Sequence, residues 1–239
     1  MSTTSPWQID GSIARLRLPR VSAQVDFIRP ADGVHSIAMG DTKLSGQSWL
    51  GVELSGERPT IDEIDAYVRG SDLIVTYAET PSRPLRAQVY WRAIESVRRG
   101  TLAAIELVAS VQTSLLDACP RLSAQSFVAA GEIVSLGEAA LSTSHSDSLE
   151  RVARGVLIRP SRTNYSYVEM IAGDAVDDEH LETSGSRVHI EHGLFADWLE
   201  KGVILRTRVR GVLVERDADL ASANAELDEF LAATLPLTT

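Results

Sequence analysis

The segment AIELVASVQTS (residues 104–114) alternates apolar side chains with mostly polar ones. Ile105, Leu107, Ala109 and Val111 occupy every second position, so they share one face of an extended chain. Such alternation is typical of a half-buried antiparallel strand, which packs one face on a core and leaves the other polar. The segment therefore predicts a strand.

The same period of two recurs along the chain. In DAYVRGSDLIVTYAE (65–79), two β-rich runs flank Gly70-Ser71-Asp72, which predicts a hairpin. Further strand candidates are 13–18, 23–28, 48–54, 85–92, 155–159, 164–173 and 202–214. This number of strands, with turn residues between them, predicts a mostly β protein with an antiparallel β-sandwich or barrel.

Three segments depart from this pattern. Residues 85–100 fit either a strand throughout or a strand that turns helical near Arg92, and the alanine-rich residues 121–140 fit either element. Residues 217–234 carry apolar side chains at helical spacing, which predicts one C-terminal helix packed on the sheet. Its predicted buried stripe is Leu220, Ala223, Leu227 and Leu231, with Asp217 or Asp219 as the cap and Pro236 as the stop.

The composition is that of an ordinary globular protein, with 239 residues of which 44% are hydrophobic and 23% charged. We expect a single domain over residues 1–239, with an irregular segment at 1–12.

The net charge of −10 disfavours nucleic acid and an anionic membrane as partners. The only cysteine, Cys119, cannot form an intrachain disulfide. Because neither a secretory signal nor a membrane span is evident, we expect an acidic cytoplasmic protein.

The segment RVHIEHG (187–193) places two histidines and a glutamate within four positions. A zinc protease helix sets its histidines four apart, whereas His189 and His192 are three apart and follow a strand-like run. On a strand, His189 and Glu191 share a face while His192 points the opposite way. We therefore expect no metal site here. The sequence also lacks phosphate loops of the Walker and dinucleotide types, so no cofactor is expected.

Aromatic, arginine and carboxylate side chains on other strands form the candidate ligand site. Flat aromatic rings suit the apolar faces of sugars, while arginines and carboxylates suit sugar hydroxyls. The candidate residues are Arg92, Tyr165, Tyr167, Glu169, Arg206, Arg208 and Arg210. The alternative is a solvated sheet face whose charges pair across strands.

The strand series that includes IELVASVQTSLLDACP (105–120) and NYSYVEM (164–170) resembles the galactose mutarotase-like proteins. This resemblance implies a β-supersandwich and a carbohydrate-related function, either binding a sugar or acting on one. Epimerases of that family use histidines as the acid and a glutamate as the base, and Glu169 is the best-placed carboxylate for such a base. The five histidines match no catalytic pattern of the family. A non-catalytic interaction or structural protein without a small-molecule site stays as the alternative.

Overall fold

The structure is a computed structural model that describes residues 5–95, 98–137, 148–150, 154–172, 176–195 and 198–234. Within these ranges the chain forms twenty strands and one α-helix, α1 (Asp219–Ala232). The strands are, in chain order, β1 (Trp7–Asp10), β2 (Ile13–Arg17), β3 (Val21–Asp26), β4 (Val34–Met39), β5 (Thr42–Lys43), β6 (Ser48–Leu54), β7 (Ile64–Arg69), β8 (Asp72–Tyr77), β9 (Arg86–Ile94), β10 (Thr101–Gln112), β11 (Asp117–Ala118), β12 (Leu122–Ala129), β13 (Gly131–Leu136), β14 (Ser148–Glu150), β15 (Gly155–Pro160), β16 (Tyr165–Ile171), β17 (Val176–Ser184), β18 (Arg187–Leu194), β19 (Leu199–Glu200) and β20 (Leu205–Glu215).

These strands assemble into two large sheets and one small ribbon. The ten-stranded sheet has the order β1-β2-β3-β4-β6-β12-β18-β17-β14, with β5 beside β4. The eight-stranded sheet has the order β13-β15-β16-β20-β10-β9-β8-β7, and β11 pairs with β19 in a separate ribbon. Every pairing between described strands is antiparallel. Because both large sheets contribute to one hydrophobic core, the predicted antiparallel β-sandwich is confirmed.

The strand predicted from residues 104–114 is β10, which lies between β9 and β20 in the eight-stranded sheet. Ile105 and Leu107 join the core between the sheets, as the alternation predicts. The opposite face is buried too, since Glu106 is only 2% exposed and Ala104 packs in one cluster with Phe230 of α1. The expectation of a half-buried strand is therefore wrong, because the helix covers part of the face that was predicted to be solvated.

Both ambiguous segments are strands where the structure describes them. Residues 85–100 contain β9, and residues 121–140 contain β12 and β13. Residues 96–97 and 138–140 of these segments lie outside the described residues. Strand pairing explains why neither segment turns helical: β9 and β12 each lie between two strands and β13 pairs with β15, and such tertiary pairing overrides weak local preference.

The N-terminal segment is more ordered than predicted. An irregular segment at 1–12 is wrong for Trp7–Asp10, which forms β1 and pairs with β2. Trp7 is buried, and its indole N–H donates to the backbone oxygen of Ser71 at 3.1 Å. A four-residue strand is too short to be recognised by its alternation.

The C-terminal helix is confirmed, and of its predicted stripe Ala223 and Leu227 are buried. Its buried residues are Asp219, Ala223, Glu226, Leu227 and Phe230. Leu220 and Leu231, which were predicted to be buried, are 42% and 40% exposed. The N-cap is Ala218, so neither aspartate caps the helix, and Pro236 lies outside the described residues. In the described part of the chain, no helix is long and apolar enough to cross a lipid bilayer.

Candidate functional site

The predicted site residues lie on two opposite faces of the eight-stranded sheet. Tyr165 and Tyr167 of β16 point into the core between the sheets, and Glu169 shares their face. In the register of β16 and β20, Glu169 pairs with Gly211 while Arg210 pairs with Met170. The arginines of β20 therefore point away from Glu169. The tyrosines and the arginines do not line one cleft.

Glu169 is the centre of a buried hydrogen-bond network, here called the core network, which consists of Ser126, Tyr167, Glu169 and His192. The Tyr167 hydroxyl donates to Oε2 of Glu169, and Oε1 of Glu169 lies 2.8 Å from Nε2 of His192. The Ser126 and Tyr167 hydroxyl oxygens are 3.5 Å apart. No member is more than 1% exposed. Because its residues come from β12, β16 and β18, the core network joins the two sheets.

The core network also supports a bulge in β6. Leu50 has a φ of 55°, in the left-handed region that residues other than glycine seldom adopt. Its N–H donates to the Ser126 hydroxyl at 2.9 Å, and its carbonyl accepts the indole N–H of Trp91 at 2.9 Å. Trp49, beside it, stacks on Tyr167 with a centroid distance of 5.1 Å. The bulge is thus fixed by partners from both sheets.

Gly211 leaves space for the Tyr167 hydroxyl, and the buried surroundings keep that hydroxyl protonated. A Cβ at Gly211 would lie 2.7 Å from the Tyr167 hydroxyl oxygen, so glycine is needed there. Burial raises the pKa of Tyr167 well above its usual value, and the Glu169 carboxylate raises it further. The phenol therefore stays protonated and acts as a hydrogen-bond donor. With its members almost fully buried, the core network offers a substrate no direct contact.

On the opposite face, Arg208 and Arg210 hold α1 against the sheet. Arg208 donates to the backbone oxygens of Phe230 and Ala233, at the end of the helix, and both guanidinium groups lie over the Phe230 ring, at 4.4 and 5.1 Å. Arg210 donates to Oε2 of Glu106 through Nε at 3.1 Å and Nη2 at 2.9 Å. A positive charge is favourable at a helix C-terminus. Burial lowers the pKa of Arg208. Arg208 and Arg210 therefore stabilise the packing of α1 on the sheet.

Arg92 is paired in a similar way. It donates to both carboxylate oxygens of Asp72, at 2.7 and 3.0 Å, and this bond raises its pKa. Arg206 lies on the same face as Arg208, two residues earlier on β20. The charges of this face thus pair across strands, as the alternative interpretation required, although much of the face is buried rather than solvated.

The segment RVHIEHG is β18, and its side chains divide between two faces as predicted for a strand. His192 points inward to Glu169, while His189 lies on the outer face and stacks on Phe127 with a centroid distance of 4.5 Å. Among the described residues, no three His, Cys, Asp or Glu side chains come together to hold a metal ion. The two histidines do not share a site.

A groove opens where β16 and β10 begin and β20 ends. This strand-end groove has a volume of about 570 Å³. Residues that line it include Arg20, Met39, Leu102, Asn164, Glu215 and Arg216. Nη1 of Arg20 lies 2.8 Å from Oε1 of Glu215, and both side chains are largely exposed. The groove thus lies between the two sheets at one end of their strands, and it contains donors, acceptors and apolar surface together.

The Arg216 side chain is held in a fixed position beside the groove. Its Nη2 donates to the backbone oxygens of Pro160 and Tyr165, at 2.7 and 2.9 Å, and to the Thr163 hydroxyl at 3.1 Å. The backbone N–H of Arg216 donates to the backbone oxygen of Asn164 at 2.9 Å. Within the described chain, no residue accepts a hydrogen bond from its Nη1.

Two features of the structure were not predicted from the sequence. His192 was assigned to the face opposite His189, but its partner Glu169 lies 23 residues away on another strand. A polar residue between Ile190 and Leu194, both apolar and inward, is the available signal for a buried partner. The strand-end groove gathers residues from turns that are distant in sequence, and no local pattern indicates it.

The two-sheet architecture is similar to that of solved structures that include candidate mutarotases and aldose 1-epimerases, in agreement with the fold that the sequence resemblance implies. The Slr1438 protein of Synechocystis sp. PCC 6803 is similar over 90% of this chain and 99% of its own, with a TM-score of 0.57 and 7% identity. A candidate aldose 1-epimerase from Escherichia coli K12 covers 89% of this chain and 99% of its own, at a TM-score of 0.56 and 7% identity.

A candidate mutarotase from Salmonella typhimurium, YeaD, covers 87% of this chain and 96% of its own, at a TM-score of 0.53 and 9% identity. At such identities the likeness defines the fold alone. No protein-family model matches the chain, and no curated protein matches its sequence.

Proposed function

We propose that the protein binds a carbohydrate in the strand-end groove. The observation that carries this proposal is the combination, in one groove, of arginines, carboxylates and apolar side chains. Its volume of about 570 Å³ falls within the range of about 300–1,000 Å³ that is typical of small-molecule sites. The fold supports a carbohydrate ligand, since structures of the same architecture are named as candidate mutarotases and aldose 1-epimerases.

Arg216 provides a preorganised donor. Because three oxygen atoms share the two N–H groups of its Nη2, little side-chain entropy is lost when Nη1 donates to a ligand. A sugar hydroxyl or ring oxygen is a suitable acceptor. Asn164, which is exposed at the rim, adds an amide that both donates and accepts.

The ion pair of Arg20 and Glu215 provides exchangeable partners. An exposed ion pair of this kind contributes only about 0–1 kcal/mol to stability, so opening it to admit a ligand costs little. Glu215 then accepts from a sugar hydroxyl while Arg20 donates to another. Met39 and Leu102 supply apolar surface for the C–H face of the ring.

The charges of the groove favour a neutral sugar. Arg20 and Arg216 are balanced by Glu215 and Asp217, which also line the groove. A strongly anionic ligand would have to displace or neutralise two carboxylates. A sugar hydroxyl can donate a hydrogen bond to a carboxylate and accept one from an arginine, so a neutral sugar suits both kinds of side chain.

We infer binding rather than catalysis. A histidine–carboxylate pair such as His192 and Glu169 is suitable for proton transfer, and Glu169 was the candidate base. Both side chains are only 1% exposed, however, and their hydrogen bonds are directed into the core. A general base must come within hydrogen-bond reach of its substrate. We therefore assign the pair a structural role.

A thermal-shift screen against neutral hexoses, pentoses and disaccharides tests the proposal. A ligand at about one hundred times its Kd stabilises the folded state by about 2.7 kcal/mol, which raises the Tm by several degrees. Arg20→Ala and Asn164→Ala should weaken binding by about tenfold or more, because each removes a hydrogen bond to the ligand. Arg15→Ala, which breaks an exposed ion pair to Asp10 elsewhere, is the matched control and should bind normally.

Failure of every sugar to shift the Tm would favour the interaction or structural alternative. A shift that survives Arg20→Ala and Asn164→Ala unchanged would place the ligand elsewhere. Polarimetry distinguishes binding from catalysis, since we expect no acceleration of anomer exchange by the intact protein. Acceleration that disappears in Glu169→Gln would reverse the structural assignment of the core network.

A further inference from the structure

A cluster of exposed apolar side chains lies at the end of the eight-stranded sheet opposite the strand-end groove. We call it the apolar end patch, and it consists of Leu115, Leu116, Trp198, Val203 and Ile204. These residues are between 42% and 86% exposed. Nine large hydrophobic residues are exposed in the described chain, and five of them belong to this patch. Scattered exposed apolar residues are normal, but a concentration of this kind marks an interaction surface.

The patch is built on an ordered support. β11 and β19 pair through Ala118 and Leu199, whose side chains are 8% and 0% exposed and join the core between the sheets. The backbone N–H of Lys201 donates to the backbone oxygen of Leu116 at 3.4 Å. The chain segments on either side of this pairing are therefore held next to each other by backbone hydrogen bonds. The segments that carry the exposed side chains, at residues 115–116 and 198–204, are therefore neighbours in space.

The ribbon carries an unbalanced charge beside the patch. Asp117 and Glu200 are directly opposite each other in the β11–β19 register, and both are exposed. Like charges at such positions repel each other. Lys201 is adjacent and exposed, but it forms no ion pair with any described residue. The ribbon thus presents an acidic pair and a separate lysine, each without a charged partner in the described chain.

We propose that the apolar end patch binds the same patch on a second copy of this chain. In a two-fold symmetric interface each contact between two different residues occurs twice. Lys201 of each copy can therefore lie against the Asp117 and Glu200 pair of the other copy. The outer edges of β11 and β19 also offer unpaired backbone groups to a neighbouring strand. Both features favour self-association over contact with an unrelated surface.

The size of the patch predicts a weak dimer. Its five side chains present on the order of 500 Å² to solvent, so two copies bury about 1,000 Å² in total, near the lower limit for a specific interface. Association should therefore depend on concentration in the micromolar range. An anionic membrane is a poorer occupant, since the chain has a net charge of −10.

Sedimentation velocity of the full chain, from low to several hundred micromolar, tests the proposal. We expect the wild type to shift from monomer to dimer over this range. Leu116→Lys and Trp198→Lys should shift the dissociation constant upward by at least tenfold, because each brings two like charges together at the contact. Lys201→Glu should weaken association as well, by removing the partner of the acidic pair. Ile61→Lys, at an exposed apolar position outside the patch, is the matched control and should dimerise like the wild type.

Three outcomes would overturn the proposal. The wild type could remain monomeric throughout, or the patch variants could dimerise as well as Ile61→Lys. The third is flotation of monomeric protein with neutral phosphatidylcholine vesicles that Leu116→Lys abolishes, which would assign the patch to a membrane surface instead. Equal melting temperatures of the variants and the wild type verify that folding is unchanged.

Discussion

Tyr167 donates a central hydrogen bond within the core network and also contacts the ring of Trp49 on β6. It donates to Glu169, lies next to Ser126 and stacks on Trp49. Buried polar groups are costly when a partner is removed, because the group left behind has no water to replace it. The hydroxyl therefore contributes mainly by satisfying the Glu169 carboxylate.

Tyr167→Phe should lower the free energy of unfolding by about 1–3 kcal/mol. The substitution keeps the ring and its stacking on Trp49, so it removes only the hydroxyl. Urea unfolding of the two proteins measures the difference. Tyr67→Phe, at an exposed site, is the control and should change stability by less than about 0.5 kcal/mol. Equal stability of Tyr167→Phe and the wild type would contradict the role of the network.

At the scale of single residues, the sequence predicted which side chains share a face but not where that face points. Tyr165, Tyr167 and Glu169 alternate with Ser166, Val168 and Met170, and both faces of β16 are buried. An alternating pattern therefore gave no sign of which side is the core. The partnership of Glu169 with His192 depends on how the two sheets are stacked, which no local spacing encodes.

The helix α1 is docked on the sheet by a buried ion pair at its first residue. Asp219 accepts two hydrogen bonds from Arg159, both at 2.9 Å, and one from the Ser166 hydroxyl at 2.6 Å. Burial by itself would raise the pKa of Asp219, but the bonds from Arg159 and Ser166 outweigh it and hold the pKa below its usual value.

This shift predicts a pH-dependent contribution of Asp219 to stability. A carboxylate whose pKa is lower in the folded state stabilises that state above its unfolded pKa of about 3.9, and the contribution is lost as the pH falls through the folded pKa. The difference in Tm between the wild type and Asp219→Asn should therefore be largest near neutral pH and shrink below about pH 4. Asp228→Asn, on the exposed face of α1, is the control. A difference that grows on acidification would contradict this account.

Phe230 anchors the other end of the helix. It is fully buried and lies under the guanidinium groups of Arg208 and Arg210, whereas its neighbour Leu231 is 40% exposed. Phe230→Ala should destabilise the protein by about 3–5 kcal/mol, as measured by denaturant unfolding. Leu231→Ala should cost much less. Similar losses in the two variants would mean that the helix packs on a different stripe.

Among the elements, helical spacing predicted α1 and the burial of Ala223 and Leu227, but not the full set of residues on its buried face. The predicted stripe of leucines is apolar at every position, whereas the observed stripe includes Asp219 and Glu226. Those acids are buried because arginines of the sheet approach the same face. A stripe chosen by hydrophobicity alone cannot include residues that are buried in ion pairs.

For the whole molecule, the antiparallel β-sandwich followed from alternation and turn residues, and the likeness of its fold to mutarotase structures followed from the resemblance. The arrangement of sites did not. The strand-end groove combines Arg20 from the turn after β2 with Asn164 before β16 and Glu215 at the end of β20. Only the packing of the two sheets brings these residues together.

We propose that a sugar binds in the strand-end groove, and backbone amide chemical shifts recorded during a sugar titration would locate it. A neutral sugar that raises the Tm should shift the backbone amide signals of Asn164, Glu215 and Arg216 in a saturable way. The signals of Leu116 and the Trp198 indole, at the opposite end of the eight-stranded sheet, should stay unchanged. Saturable shifts confined to residues outside the groove, with Asn164, Glu215 and Arg216 unaffected, would contradict the account.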